Sequence, residues 1–79
     1  MPSPAPLPAT PIPGRYRHYK GHDYRVIGLA RHSETLEPLV VYEALDGEGG
    51  LWVRPAAMFT ETVTVDGVPL PRFAFVAPA

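Results

Sequence analysis

The chain contains no cysteine, and it has no long uninterrupted run of apolar residues. The first absence excludes disulfides, thiolate zinc sites and cysteine nucleophiles, so stability must come from packing or from a partner. The second excludes a membrane-spanning helix, which needs about 20 consecutive apolar residues. The opening segment MPSPAPLPATPIPG also lacks the charged and apolar regions of a secretory signal. We therefore expect a cytoplasmic protein without membrane association.

Segments long enough to pack as helices are also lacking, and the chain from Gly14 onward is typical of strands. Short β-branched and aromatic runs alternate with glycine, proline and acidic residues. The runs are RYRHYK (15–20), YRVIGLA (24–30), LVVYEAL (39–45), LWVR (51–54), ETVTV (61–65) and VPLPRFAFV (68–76). DGEGG (46–50) and Asp66-Gly67 predict tight turns. The prolines of the last run should confine it to a sheet edge or delay its pairing until about Arg72.

The segment PAAMF (55–59) predicts one helical turn after the fourth strand, because proline is favoured at the first helical position. The fold class that follows is all-β, with five to six short antiparallel strands in the layout of a small SH3-like barrel. In YRVIGLA both alternating sets of side chains include apolar residues. This pattern predicts that the second strand is covered on both sides over part of its length.

Residues 1–13 hold six prolines and no charge. Proline fixes its own φ and favours extended geometry in the residue before it, so we expect a disordered, polyproline-like tail. The PATP motif at 8–11 fits an SH3 or WW ligand only weakly, because the nearest basic residue is Arg15. The remaining 14–79 should form the one domain that 79 residues allow.

Charge is unevenly distributed although the net charge is only −1. Residues 15–32 carry five Lys or Arg and all three histidines against one acid, whereas the rest of the chain carries seven acids against Arg54 and Arg72. The basic hairpin could be neutralised by later acidic strands, or it could present an anion-binding face.

The stretch ARHSET (30–35) invites a catalytic interpretation, but consecutive side chains on a strand point in different directions and do not form a triad. No GxSxG nucleophile turn is present. The histidines at 18, 22 and 32, with Asp23 and Glu34, match no standard zinc spacing. We therefore predict no catalytic residue, no metal and no cofactor.

Aromatic and charged residues on neighbouring strands predict a binding site instead. Tyr42, Trp52 and Arg54 would supply stacking and an anion clamp, and Arg31, His32, Glu34 and Thr35 would complete the polar rim. The alternative is that Trp52 is the main core residue and that Arg54 pairs with Glu43 or Glu61. His18 and Lys20 share a strand face with Tyr16 and form a second candidate, suited to single-stranded nucleic acid.

Several blocks of the chain occur in the order and spacing of a known pattern: YRHYKG (16–21), YRVIGLARHSETLEPLVVYEAL (24–45), LWVRPAAMF (51–59) and TVDGVPLPRF (64–73). The chain resembles a bacterial family of small stand-alone domains of unknown function, with the pattern YxHYKGxxYxVxxxARHSET, VYxxL and WVRPxxMF. The resemblance covers 14–76 and implies an SH3-like barrel without an assigned reaction. Its signature positions are His18, Lys20, Arg31, His32, Ser33, Glu34, Thr35, Trp52, Arg54 and Pro55. At Asp46 the pattern would have an aromatic residue.

The function predicted from these residues is that of a binding module without enzymatic activity. Its ligand would be a peptide, an anionic small molecule or a nucleic-acid segment, bound at the polar and aromatic rim. The alternative is a minimal enzyme in which His32 is a general base, Glu34 orients it and Arg54 stabilises an anion.

Overall fold

The computed structural model describes residues 7–9, 11–47 and 49–78. These residues form an all-β domain with one short helix after the fourth strand, as the sequence predicts. The elements are β1 (Gly14–His18), β2 (Asp23–Arg31), β3 (Pro38–Ala44), β4 (Leu51–Pro55), α1 (Ala56–Phe59), β5 (Thr62–Val65), β6 (Val68–Pro71) and β7 (Phe73–Pro78). Within this part of the chain, no helix has the length and apolar character needed to cross a bilayer.

The main sheet has five antiparallel strands in the order β4-β3-β2-β1-β7, and β5 and β6 form a separate hairpin. The chain therefore meanders from β1 to β4 and returns with β7 to the free side of β1. Arg72 divides the last apolar run, so that β6 pairs with β5 and β7 pairs with β1. The prediction that pairing is delayed until about Arg72 is wrong, because Val68–Pro71 already pairs with β5. The other possibility, confinement to a sheet edge, is met, since β6 belongs to a two-stranded hairpin. This division gives the described chain seven strands, more than the five or six expected.

The main sheet is open, because its two edge strands β4 and β7 are not hydrogen-bonded to each other in the described chain. The sheet curls until side chains of the two edges meet across its concave face. The Arg54 guanidinium on β4 lies 5.6 Å from the ring centroid of Phe73 on β7. Phe59 of α1 stacks on Phe73 at a centroid distance of 4.0 Å. Side-chain packing thus brings the edges together, and the likeness to SH3-like barrels stays a prediction.

A β-bulge in β2 keeps the apolar residues of that strand on one face. The pairing between β2 and β3 shifts between Val26 and Gly28, so that Ile27 is the extra residue. Val26 is buried and Leu29 packs on the same core, whereas Ile27 is exposed. The predicted cover on both sides is absent at Ile27, whereas residues 28–31 are half-buried on both faces, in agreement with cover over part of the strand. The extra residue reverses the alternation of inward and outward side chains.

The core lies between the concave face of the sheet and α1. Its buried side chains are Tyr16, Val26, Val40, Tyr42, Ala56, Phe59 and Phe73. Aromatic rings dominate it, and most of their contacts are edge-to-face, a geometry that adds to the stabilisation from burial.

The predicted tail meets the domain near its end. Residues 1–6 and 10 of this segment lie outside the described residues, so its predicted disorder stays a prediction. Pro11 is buried, and the Ile12 carbonyl accepts a hydrogen bond of 2.8 Å from the Tyr16 hydroxyl. Burial raises the pKa of Tyr16 above its ordinary value, although this hydrogen bond acts in the opposite direction.

Candidate functional site

A cleft with aromatic walls lies on the concave face, where β2, β3 and β4 run side by side. Trp52 on β4 is directly opposite Tyr42 on β3, and Tyr24 on β2 is opposite Ala44. Since residues opposite each other project to the same face of a sheet, these three rings gather on one surface. The cleft has a volume of about 490 Å³, and we call it the aromatic cleft. Its lining consists of Tyr24, Tyr42, Ala44, Asp46, Gly49 and Trp52.

The two tyrosine rings of the cleft are held by the core below them. Tyr24 and Tyr42 meet edge to face, with centroids 5.4 Å apart and an interplanar angle of 82°. Both also contact Phe73, at centroid distances of 5.6 and 6.1 Å. A ring that is packed on several others has little freedom to rotate, so this part of the cleft is preformed.

Trp52 is 56% exposed, so the prediction that it is the main core residue is wrong. The reason is its place on the sheet edge, where only β3 lies beside it. The centre of the core is filled instead by Phe59 of α1 and Phe73 of β7.

The β4 strand is the most exposed apolar part of the described chain. Leu51, Trp52 and Val53 are 66%, 56% and 60% exposed, more than any other large hydrophobic side chains in this part of the molecule. They are consecutive, and within the described residues the strand pairs with β3 only, so that the backbone groups along its other edge have no strand partner there. Edge strands are usually protected by charge, by proline or by a covering segment. Here Pro55 protects only the end of the strand.

The charge of the cleft is acidic. Asp46 is the one charged residue among the lining residues that the structure describes. Its Oδ2 atom lies 3.5 Å from Nδ1 of His22, and its side chain is about half exposed. The turn that carries Asp46 needs positive φ at Gly49 and Gly50, as the glycine-rich sequence predicts.

Arg54 shares the concave face with Trp52, as predicted from their spacing. It does not form either of the predicted ion pairs, because Glu43 pairs with Arg25 at 3.4 Å and Glu61 pairs with Arg72 at 3.1 Å. The guanidinium lies over Phe73 instead. A delocalised cation over an aromatic face is attracted by the ring quadrupole, so this contact holds Arg54 against the core.

His18 and Lys20 lie at the end of β1, near Phe73. The His18 ring contacts Phe73 and Tyr19, and its Nδ1 accepts a hydrogen bond of 3.2 Å from the Lys20 N–H. Burial, followed by the positive charges of Arg54, Arg72, Lys20 and His22, holds the pKa of His18 below its ordinary value. Tyr16 is buried in the core, so the predicted nucleic-acid surface lacks its stacking ring.

The ARHSET stretch lies at the end of the hairpin away from the aromatic cleft: Ala30 and Arg31 end β2, and residues 32–35 begin the turn to β3. Arg31 is opposite Pro38, seven residues along β2 from Tyr24, which corresponds to roughly 20 Å of strand. The predicted site residues therefore fall into two groups. Tyr42, Trp52 and Arg54 are together on the concave face, and His32, Glu34 and Thr35 are together in the turn.

The turn satisfies its own polar groups. Nδ1 of His32 accepts hydrogen bonds from the N–H groups of Glu34 and Thr35, at 3.1 and 3.3 Å. The Leu36 N–H donates to the His32 carbonyl at 2.9 Å, with Leu36 at a φ of 63°. A neutral imidazole that accepts at Nδ1 carries its proton on Nε2. To act as a general base, His32 would first have to give up these hydrogen bonds.

Four of the described residues that line the aromatic cleft are not among the site residues predicted from the sequence: Tyr24, Ala44, Asp46 and Gly49. The signal for Tyr24 was its alternation with Val26, which places it on the core face. Asp46 was noted only as a departure from the family pattern. Among the described residues, no group of three or more histidine, aspartate or glutamate side chains is placed to hold a metal ion.

Comparisons with known proteins agree with this architecture. A family model described as "Protein of unknown function (DUF1653)" matches residues 14–75. The crystal structure of a DUF1653 protein from Bordetella bronchiseptica is similar, with 43% sequence identity and a TM-score of 0.81. The similarity covers 89% of this chain and 92% of that one. No curated protein matches the sequence.

Proposed function

The chain belongs to the DUF1653 family of proteins of unknown function, and we propose that it is a binding domain for extended peptides. The peptide would pair as an additional strand with the free edge of β4, and one of its side chains would enter the aromatic cleft. The observation that carries the proposal is the exposure of Leu51, Trp52 and Val53 on β4, an edge strand that pairs with β3 on one side and with no described strand on the other.

An edge of this kind favours strand addition for two reasons. Its free N–H and C=O groups supply hydrogen bonds to any extended backbone, whatever the sequence of that backbone. Its apolar side chains gain free energy when a partner removes them from water, at about 25 cal/mol per Å² of apolar surface. A long, exposed and apolar edge is otherwise a site of aggregation, so a partner that covers it explains why it is tolerated.

The alternation of side chains gives the added strand a means of selection. Trp52 is opposite Tyr42 on the concave face, whereas Leu51 and Val53 project to the other face. A peptide beside β4 would project every second side chain to the concave face. The one beside Trp52 would lie above the aromatic cleft. Backbone pairing would supply affinity, and the cleft would choose among side chains.

The peptide is favoured over the other ligands that the sequence suggested. An anion or a nucleic-acid backbone requires cationic contacts, and no lysine or arginine lines the described part of the cleft. Arg54, the nearest candidate in the predicted site, lies over Phe73. In the polar turn, Nδ1 of His32 already accepts hydrogen bonds from the Glu34 and Thr35 N–H groups.

The proposal is tested with short capped peptides of threonine and valine that carry one variable central residue, followed by amide NMR. Binding should shift the amide signals of β4 and the indole N–H signal of Trp52, the only tryptophan in the chain. The same peptides with N-methyl groups along one backbone edge should lose binding, because they keep the side chains but not the donors. Trp52→Ala should weaken binding with little change in melting temperature. The matched control is Ile27→Ala, which removes an exposed side chain from a central strand.

Two results would overturn the proposal. One is a failure of every peptide to shift β4 while a short oligothymidine shifts it, which would favour nucleic acid. The other is a mass by light scattering that doubles with concentration while Trp52→Ala stays monomeric. That result would make a second copy of this chain the partner of the β4 edge.

A further inference from the structure

We infer that the aromatic cleft selects a peptide side chain that ends in an alkylammonium group, that of lysine or N-methylated lysine. The inference rests on the proposed function and specifies the chemistry that the cleft recognises. It depends on the walls of the cleft, on their charge and on the shape of the opening beside β4.

The walls present π faces from more than one direction. Tyr24 and Tyr42 are nearly perpendicular, and Trp52 stands opposite Tyr42 on the neighbouring strand. The face of an aromatic ring carries the negative part of its quadrupole, so a cation within about 6 Å of several rings is attracted by each. Indole is the strongest of the aromatic side chains in this interaction, and Trp52 is the ring nearest to the strand edge.

The charge of the lining has the sign that a cation requires. Asp46 is its charged residue in the described chain, and about half of that side chain is exposed to solvent. An exposed carboxylate contributes little by itself, but it repels an anion from the same place. The cleft therefore combines a weak preference for positive charge with ring faces that strengthen that preference.

The concave face already holds one cation in this manner. The Arg54 guanidinium lies 5.6 Å from the Phe73 centroid, where it occupies the ring that lies beneath both tyrosines. Arg54 thus takes the Phe73 ring and leaves to a ligand the parts of Tyr24, Tyr42 and Trp52 that line the cleft, of which Trp52 is far more exposed than Tyr42. Its positive charge also disfavours a second guanidinium or ammonium at Phe73, so a ligand cation should stay at the outer rings.

The test compares four peptides that differ only in their central residue. The residues are trimethyl-lysine, lysine, a neutral analogue with a tert-butyl group in place of the trimethylammonium, and glutamate. Affinity is measured from the amide signals of β4 and, in the chains that retain Trp52, also from its indole signal and fluorescence. The trimethyl-lysine peptide should bind about tenfold more tightly than its neutral analogue, because the two have the same shape and only one carries charge.

Variants separate the contributions of the walls and of the acid. Trp52→Phe should retain the preference for the charged peptide, whereas Trp52→Ala should abolish it. Asp46→Asn should lower the affinity for the charged peptide about threefold and make that affinity less dependent on salt. Asp66→Asn is the matched control: it removes one acid from the β5–β6 turn, where asparagine tolerates the positive φ of 51°, and it should leave binding unchanged.

The outcomes distinguish the inference from the function on which it rests. Equal affinity for the charged peptide and its neutral analogue, or tightest binding of glutamate, would overturn the inference and leave strand addition at β4 intact. If no peptide binds, strand addition fails, and tetramethylammonium chloride alone tests the cleft. A shift of the Trp52 indole signal by this salt, absent with sodium chloride and about threefold weaker in affinity in Asp46→Asn, would support the cation site. No such shift would refute it.

Discussion

At one end of the β2–β3 hairpin, the polar residues from His32 to Glu37 hydrogen-bond to one another, whereas near the other end the apolar residues of β4 remain in solvent. The Glu34, Thr35 and Leu36 N–H groups all donate to His32. Leu51, Trp52 and Val53 are more than half exposed on an unpaired edge. The polar stretch is thus satisfied within the chain, and the apolar stretch is not.

The difference shows that the polarity of a segment is a poor guide to its availability for a ligand. A polar side chain in a turn readily hydrogen-bonds to the backbone beside it, because that contact requires no other strand or helix. An apolar side chain on an edge strand is covered only if another element reaches it. In this molecule β7 and α1 cover the centre of the sheet and leave β4 free.

The largest expected effect separates the core below the cleft from the ring at its edge. Phe59 is 1% exposed and stacks on Phe73, so Phe59→Ala should lower the free energy of unfolding by about 3–5 kcal/mol. Trp52→Ala should change it by less than about 0.5 kcal/mol. Urea denaturation measures both, and Phe59→Leu provides a milder change if Phe59→Ala does not fold. If Phe59→Ala and Trp52→Ala lose similar amounts of unfolding free energy, Trp52 is a structural residue, and the distinction between the core and the β4 edge fails.

A smaller loss is expected in the polar turn. His32→Ala removes the acceptor of two backbone N–H groups and should cost about 1 kcal/mol of unfolding free energy. His32→Asn should recover part of this loss, since asparagine in turns accepts the same kind of hydrogen bond. Ser33→Ala serves as the control at a neighbouring exposed position. If His32→Ala leaves the urea midpoint unchanged, the turn does not depend on His32, and a role in binding becomes the better explanation.

The contact of Arg54 with Phe73 should contribute still less. Arg54→Met keeps a long apolar side chain without the charge, and it should cost about 0.5–1 kcal/mol, with Arg54→Lys in between. Loss of this positive charge should also raise the pKa of His18, because Arg54 is among the cations that lower it. An NMR titration of the His18 ring measures the shift. An unchanged His18 pKa in Arg54→Met would show that the two groups do not interact.

The smallest effect concerns pH. Because the pKa of His18 is lowered in the folded protein, the unfolded chain binds its proton first as pH falls. The stability that neutral His18 contributes is therefore complete above the unfolded value of about 6.5, and it is lost as pH falls from there through the folded value. Urea midpoints between about pH 7.5 and pH 5 should decline more in the wild type than in His18→Asn. Identical pH profiles would contradict the prediction.

Asp23 affects stability in a different pH range, so it does not interfere with the measurement of the His18 effect. Its hydrogen bond with Arg17, 2.8 Å long, holds the pKa of Asp23 below its ordinary value. The stability that this carboxylate contributes is present above its unfolded pKa and is lost only as pH falls through the lower, folded value. That range lies below about pH 4.

Features that depend on a few adjacent residues were predicted well from the sequence. Asp66-Gly67 forms the expected two-residue turn, with both residues at positive φ and Val65 opposite Val68. The helical turn Ala56–Phe59 follows Pro55, as PAAMF predicts. The confinement of Pro69 and Pro71 to the two-stranded β5–β6 hairpin follows from the missing N–H donor of proline. In each case the covalent geometry of one or two residues selects the backbone conformation.

Features that depend on which strands become neighbours were predicted less well. Tryptophan is a residue type that is usually buried, but the burial of Trp52 depends on whether another strand pairs with β4. The convergence of Tyr24, Tyr42 and Trp52 depends on the register of two ladders. The bulge at Ile27 changes which side chains of β2 face inward, and no single residue in YRVIGLA predicts that bulge.

The sequence by itself determined the all-β class, the turns and the helical turn, because φ preferences and missing donors act within a few residues of the chain. Only the tertiary structure decided which aromatic rings lie in the core and which line the cleft, and which of the two stretches, the polar turn or the apolar β4 strand, remains open to a ligand. These depend on strand order, register and the curl of the sheet, which bring together residues far apart in sequence and leave β4 uncovered.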